Sequence, residues 1–446
     1  MRLKTFRMGG IHPDDNKISA GAPIEVLPLP AVAYISMAQH LGAPATPIVQ
    51  KGDKVLVGQV IAEPSGFVSA PVHSPYSGTV KAIEPRADFA GNMVTHVVID
   101  VEGDEWLPQI DRTPEIKTEI TASREEILEK IKNAGVVGLG GAAFPTHIKL
   151  SPPKDKTAEC LIINGTECEP YLTSDDRIMR EEPVQIVTGA RIMMKALGVS
   201  KCYIGIEENK PAAIESMRKA AADYDGIEVV ILKKKYPQGG EKQLIDAIIH
   251  RRVPSMGLPI DTGAVVQNVG TALAVYEAVQ KNKPLIDNIF TVTGKCVPQQ
   301  KNFDVRVGTT FRQIIEAAGG IPEKAAKFVS GGPMMGKAIV NLDASTVKAS
   351  AALLVLTEEE TLRKKESNCI RCGKCADACP MGLQPFLLSR LARAGGRQEE
   401  LEQEKVFDCI ECGCCLYTCP ANIPLLDVIR PAKAEVIKIM RSRPKK

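Results

Sequence analysis

Cys369-Ile370-Arg371-Cys372-Gly373-Lys374-Cys375-Ala376-Asp377-Ala378-Cys379-Pro380 is followed by a near-copy, Cys409-Ile410-Glu411-Cys412-Gly413-Cys414-Cys415-Leu416-Tyr417-Thr418-Cys419-Pro420. Each run is Cys-x2-Cys-x2-Cys-x3-Cys-Pro. A cubane cluster needs four converging thiolates, and in two-cluster ferredoxins the fourth cysteine of each run ligates the other cluster. The expected sets are therefore Cys369, Cys372, Cys375 and Cys419 for one 4Fe–4S cluster, and Cys409, Cys412, Cys415 and Cys379 for the other. A pair of zinc sites is the competing reading, but zinc favours two cysteine pairs separated by a longer gap. Nine of the thirteen cysteines lie between Cys369 and Cys419, which marks metal ligation rather than a disulfide framework and implies a reducing compartment. Cys414 is out of frame and reads as structural; Cys160, Cys202 and Cys296 read as small apolar core residues. Helical patterns at Leu387–Arg393 and Gln398–Val406 separate the runs.

The chain around these runs is long, 446 residues, so several domains are expected. Its formal net charge of +3 comes from interspersed acids and bases, which argues against a nucleic-acid partner. No apolar run approaches the ~20 residues of a membrane helix, and Met1–Gly10 lacks the apolar core of a secretory signal, so any membrane role is expected to be peripheral. Upstream of the cysteines, strand candidates alternate with amphipathic helices: Cys160–Asn164, helix Pro183–Leu197, Lys201–Ile206, helix Pro211–Tyr224, Ile227–Leu232 and helix Glu241–Arg251. That alternation predicts an α/β domain with a largely parallel sheet. Ile289–Thr293, Phe311–Ala318 and Phe328–Gly332 outline a smaller β-grasp-like unit.

The first ~105 residues are turn-rich with short apolar runs (Lys54–Ile61, Gly78–Ile83, His96–Val101) and resemble a barrel-sandwich hybrid, the fold of biotinyl and lipoyl carriers. No lysine occurs between Lys54 and Lys81, so a docking or structural module is expected rather than a swinging arm.

Gly138-Leu139-Gly140-Gly141-Ala142-Ala143-Phe144-Pro145-Thr146-His147-Ile148-Lys149 is neither a P-loop nor a Gly-x-Gly-x-x-Gly fingerprint. Its glycines allow backbone N–H groups to approach an anion or a flat ring, with a cation at Lys149. With Asn164-Gly165-Thr166-Glu167-Cys168-Glu169-Pro170, Gly239-Gly240-Glu241 and Gln267-Asn268-Val269-Gly270-Thr271, in this order, it resembles the flavin- and NADH-binding 51-kDa subunit of complex I. The resemblance implies FMN held by Gly138, Gly140, Gly141, Lys149, Asn164, Asn268 and Thr271, with Phe144 along its ring. It also implies that Glu167, Glu169 and Glu241 face NAD(H), the first two in the catalytic position. Leu139 replaces an arginine of that family, Thr166 an aspartate, and Leu150, Pro152 and Pro153 replace its aromatics, so the adenine end is expected to be built differently.

The combination of parts narrows the resemblance. It is similar to the RnfC family, one component of the Rnf complex, the ion-translocating ferredoxin:NAD+ oxidoreductase. The fold expected is multidomain α+β: barrel-sandwich hybrid (1–107), α/β flavin/nucleotide domain (115–285), SLBB-like β-grasp module (286–357), α-helical dicluster ferredoxin domain (358–432) and a basic tail (433–446), expected to fray from Met440. The resemblance implies a peripheral electron-transfer subunit on the cytoplasmic face of the bacterial membrane, passing electrons between NAD(H), FMN and two 4Fe–4S clusters. Its implied partners are the integral membrane subunits and the ferredoxin-accepting iron–sulfur subunit. The rival expectations are a soluble, cobalamin-reductase-like NADH-dependent reductase and a non-catalytic relay whose flavin site has decayed.

Overall fold

A computed structural model describes residues 3–443. The flavin-type domain is organised by four parallel strands in the order Ile227–Leu232, Cys202–Glu207, Cys160–Gly165, Ala264–Asn268. In chain order this is 3-2-1-4, so the direction of winding reverses between Cys160–Gly165 and Ala264–Asn268. Ligands of open α/β sheets bind at such a reversal, beyond the carboxyl ends of the strands. Asn164 and Asn268 sit at those two ends, paired in register. Cys160–Gly165 and Ala264–Asn268 are buried on both faces and read as apolar runs, CLII and AVV, without alternation. Ala264–Asn268 is absent from the sequence expectation, because its apolar run is short and followed at once by the helix Val269–Gln280. The helix Ser174–Glu181 is likewise an addition to the sequence expectation.

The sandwich runs from Val32 to Val101. One sheet is ordered Val32–Ser36, Met93–Val101, Gly78–Ala87, Lys54–Val55, and a smaller one Thr46–Pro47, Val60–Glu63, Val72–His73. Ile35, Met37, Ile61, Tyr76, Val97 and Ile99 fill the space between them. Within the 1–107 span expected for this domain, the first residues pack against other parts of the chain. Phe6 packs into the α/β domain with Ile162, Leu232 and Leu244, Lys4 bridges to Leu232, and Ile11 bridges to Tyr236. Ile24–Val26 then pairs in parallel with Lys301–Arg306 as an edge of the β-grasp sheet. The first residues are thus a strap across other domains.

Lys348 joins the sandwich, α/β and β-grasp modules: it is buried, and its Nζ donates to Pro71 O at 2.9 Å and Gly135 O at 2.7 Å. In the cysteine domain, Pro385–Ala394, Gln398–Gln403 and Leu425–Ser442 enclose a small core of Leu388, Leu401, Val406, Ile429 and Val436. The last helix runs to Ser442, through the expected boundary at 432 and into the tail expected to fray. Arg443 then makes a two-pronged pair with Glu402, at 2.7 Å and 2.7 Å. Lys445 and Lys446 lie outside the described residues. No helix among the described residues is long and apolar enough to cross a membrane.

Candidate functional site

A cleft of about 750 Å³ opens at the strand-order reversal, a size suited to a cofactor with a second small molecule. Its walls include Gly138, Gly140, Gly141, Phe144, Lys149, Asn164, Glu241 and Asn268, gathered from four separate segments of the chain. A Cβ on Gly140 would lie 2.9 Å from that of Asn268, so this glycine is required for the loop to close on the second strand end. A Cβ on Gly141 would meet nothing, which leaves its backbone open to the cleft. Lys149 Nζ lies 2.6 Å from Glu241 Oε1 and 3.0 Å from Val266 O. The expected phosphate-side cation and the expected nucleotide-side acid are therefore adjacent.

Asn164 donates from Nδ2 to Gly239 O at 2.9 Å, tying the first strand end to the Gly239–Gly240 turn. Asn268 caps the helix Val269–Gln280, accepting from Gly270 N at 2.7 Å. Its Nδ2 donates to Asp175 Oδ2 at 2.8 Å. Burial, and then the nearby Glu167 charge, hold the Asp175 carboxyl well above its ordinary range. Gln267, absent from the sequence-level site, also lines the cleft, and its buried Nε2 has no acceptor among the described residues. The glycine wall, the cation and this leftover donor fit a flat anionic cofactor.

Three expected residues are placed elsewhere. Thr271 is fully buried, and its Oγ1 accepts from Leu139 N at 3.0 Å, so it shapes the glycine loop from behind. Glu167 does not line the cleft. Its carboxylate receives Asp175 N at 2.7 Å and Asp176 N at 3.3 Å, holding the start of the helix Ser174–Glu181, with Lys17 Nζ at 3.7 Å. Glu169 is also turned away, accepting from Met334 N at 3.0 Å and Met335 N at 2.9 Å, with Tyr236 Oη at 3.4 Å. Lys17 explains the turn: it donates to the carbonyls of Glu167, Glu169 and Leu172 and draws that loop onto the N-terminal strap.

Cys379, Cys409, Cys412 and Cys415 line one cavity of about 20 Å³, walled by Pro380, Leu383, Ile410, Leu426 and Ile429. This is the expected second ligand set. Burial pushes the Cys409 thiol up to about 11 and the Cys415 thiol up to about 12, whereas a hydrogen bond with Cys414 lowers Cys412; iron coordination deprotonates thiols outright. The donor chemistry fits a cluster. No three metal-binding side chains among the described residues converge tightly enough for a lone ion, and a cubane is wider than one. In the other set Cys375 and Cys419 are half-buried, and Cys369 and Cys372 are exposed. Cys414 is buried against Ile11, Tyr236 and Ala378, in the structural place expected.

The set with Cys379 and Cys412 buried and Cys409 and Cys415 half-buried abuts the α/β domain. Tyr236 Oη donates to Cys412 O at 2.9 Å, Gly10 N to Ala378 O at 2.9 Å, and Gln243 Nε2 to Pro380 O at 3.4 Å. Tyr236 and Gln243 flank Gly239 and Glu241, which line the cleft. A flavin-type cleft joined to a dicluster ferredoxin domain defines an iron–sulfur flavoprotein oxidoreductase.

Comparison with known proteins agrees part by part. Family models match as an RnfC barrel-sandwich hybrid domain over residues 4–104, a Nuo51 FMN-binding domain over 131–277, an SLBB domain over 289–338 and a 4Fe-4S dicluster domain over 361–420. The chain is 48% identical to the RnfC-type component of the proton-translocating ferredoxin:NAD+ oxidoreductase complex of Clostridium ljungdahlii, over 90% of this chain and 87% of the relative. It is 44% identical to the corresponding component of the Na+-translocating complex of Acetobacterium woodii, over 97% of both chains. The chain belongs to the RnfC family of ion-translocating ferredoxin:NAD+ oxidoreductase complexes. An NAD+-reducing [NiFe]-hydrogenase chain shares the fold, with a TM-score of 0.51 at 18% identity over 75% of this chain and 70% of that one.

Proposed function

We propose that this chain carries electrons between NAD(H) at the cleft and the redox subunits of a membrane-bound complex, from the cytoplasmic face and without spanning the bilayer. The integral membrane subunits and the ferredoxin-accepting subunit are its partners in this reading. The observation that carries it is the hydrogen-bonded contact from the cleft wall, through Tyr236 and Gln243, to the cavity of four cysteines. FMN, when bound, supplies the exchange between two-electron hydride chemistry and one-electron transfer. The chain's residues position it. Gly138, Gly140 and Gly141 admit a flat ring along their backbone, Phe144 borders that ring, and Asn164 and Asn268 fix the cleft floor. Lys149 meets the phosphate and Glu241 turns to the nucleotide once their mutual pair opens.

Cys409, Cys412, Cys415 and Cys379 hold the inner cluster, and Cys369, Cys372, Cys375 and Cys419 the outer one. The exposure of Cys369 and Cys372 favours exchange with partner subunits at the outer end. Glu167 and Glu169 act as supports for the loop between the strand and the β-grasp module. Anaerobic NADH titration of full-length protein loaded with FMN and iron tests the reading. The expected result is loss of flavin absorbance followed by reduction of both clusters. Unchanged flavin and cluster spectra at saturating NADH overturn it.

A further inference from the structure

Phe67 is the most exposed large apolar side chain among the described residues, at 85%, and it lines the mouth of the cleft although it belongs to the sandwich domain. Its loop, between Val60–Glu63 and Val72–His73, is held rather than loose. Ser65 Oγ donates to Pro44 O at 2.5 Å, Ser69 Oγ to Ala43 O at 3.0 Å, and Ala43 N to Val68 O at 3.2 Å. Gly42 admits no side chain, because a Cβ would fall 2.0 Å from Val68 O.

Both flanks of this hairpin pair are fastened to the α/β domain. Leu41 N donates to Ala143 O, in the glycine loop itself, at 3.3 Å, and Ala70 is buried in the α/β core with Ile127 and Leu139. The chain thus fixes the loop's base on the flavin domain while leaving an aromatic ring unpacked over the cleft. Leu258, 64% exposed, is another apolar side chain left open on the cleft wall. Phe144, beside the glycine loop, is the other aromatic among the lining residues, and positions 150–153 contribute only Ser151, Pro152 and Pro153.

We propose that Phe67 is the stacking platform for the purine base of the pyridine dinucleotide, with Leu258 supplying a further apolar contact. The proposal rests on the reading of the cleft as the FMN and NAD(H) site. It makes the sandwich domain a contributor to nucleotide binding instead of a spacer. A flat base on an exposed phenyl ring removes apolar surface of both from water and adds ring–ring attraction, without any demand for a specific hydrogen bond.

The test uses the full-length, FMN- and cluster-loaded protein, with calorimetric titration of ADP-ribose, which carries the base, and nicotinamide mononucleotide, which lacks it. Phe67→Ala is expected to weaken ADP-ribose and NAD+ binding roughly tenfold while the mononucleotide changes less than about twofold. Phe67→Trp is expected to retain affinity, and its added indole fluorescence to be quenched by ADP-ribose but not by the mononucleotide. The native Trp106, stacked on Arg112 and Arg306, is the background signal.

Equal ADP-ribose affinity in wild type and Phe67→Ala overturns the proposal, as does an equal loss for both ligands. Wild-type nucleotide affinity combined with release of Phe67→Ala from its membrane complex also overturns it and assigns the ring to a protein partner. If wild-type protein binds neither ligand, the cleft reading itself fails, which is distinguishable from failure of Phe67 alone.

Discussion

Cys379, Cys409, Cys412 and Cys415 close around an apolar cavity braced against the α/β domain, whereas Cys369 and Cys372 of the matching set stand in solvent. The ligand spacing is the same, so the difference comes from what the rest of the chain packs against each loop. The buried set has Tyr236, Gly10 and Gln243 on it. An inner site shielded from water holds its surroundings fixed against the donor domain, and an outer one open to solvent offers an approach to a partner. In the proposed reading, the pair is ordered in function by packing that the cysteine motif does not encode.

The largest expected effect breaks this order directly. Cys409→Ala should remove about half of the iron and stop electron exit to external acceptors while NADH still bleaches the flavin. Cys372→Ala should also remove about half of the iron, yet leave the inner cluster reducible by NADH; metal analysis with anaerobic spectra checks both. Equal behaviour of the two variants would erase the inner–outer distinction. Next comes Gly9→Ala. Gly9 has φ +64°, and a Cβ there would lie 2.4 Å from the Cys379 carbonyl, so the strap must leave the cysteine loop. Strain and overpacking together give about 2–5 kcal/mol. A selective loss of the inner cluster's paramagnetic signal, with the outer one retained, is the expected sign.

A smaller effect involves Glu169, which burial pushes up to about 7. A carboxyl with a raised folded-state pKa binds more protons folded than unfolded between its ordinary value and about 7. Stability from this group is therefore fullest at low pH and is lost as pH rises through about 7. Glu169→Gln should flatten the fall in thermal stability between about pH 5 and 8 that wild type shows, because the amide keeps the place of the neutral carboxyl and cannot ionise. An unchanged slope would show that Glu169 does not titrate with folding in this range.

How much of this is legible in the sequence follows from how local each signal is. The cysteine runs and the glycine loop are read within a dozen residues, because ligand spacing and close backbone approach are properties of short segments. The parallel sheet is legible from apolar runs alternating with helices, although its fourth strand, Ala264–Asn268, merges into the next helix. The place of Glu167 and Glu169 after a strand end points them at the nucleotide. Their direction is instead set by a positive φ of 45° at Glu167 and by distant groups, Lys17 and Met334–Met335, that no local window contains. Phe67 carries a faint signal, a large aromatic between Ser-Gly and Val-Ser in a turn with no lysine to serve as a carrier arm. Which face that turn presents to the cleft depends on the Leu41–Ala143 hydrogen bond and on Ala70, two contacts across domains.

Tyr236→Phe gives the smallest and most discriminating change. It deletes one hydroxyl that spans the boundary between the cleft domain and the inner cysteine loop, donating to Cys412 O at 2.9 Å. The ring itself, fully packed, is retained. The lost bond is worth about 1 kcal/mol of stability, too little to unfold either domain. The carbonyl it leaves bare belongs to an inner ligand, so its dipole is no longer compensated beside the cluster. The expected result is a shift in the inner cluster's potential with the outer cluster's unchanged, read by anaerobic redox titration. If the two potentials moved together, the contact at Tyr236 would be ordinary domain packing. The asymmetry between the sets would then rest on solvent exposure alone.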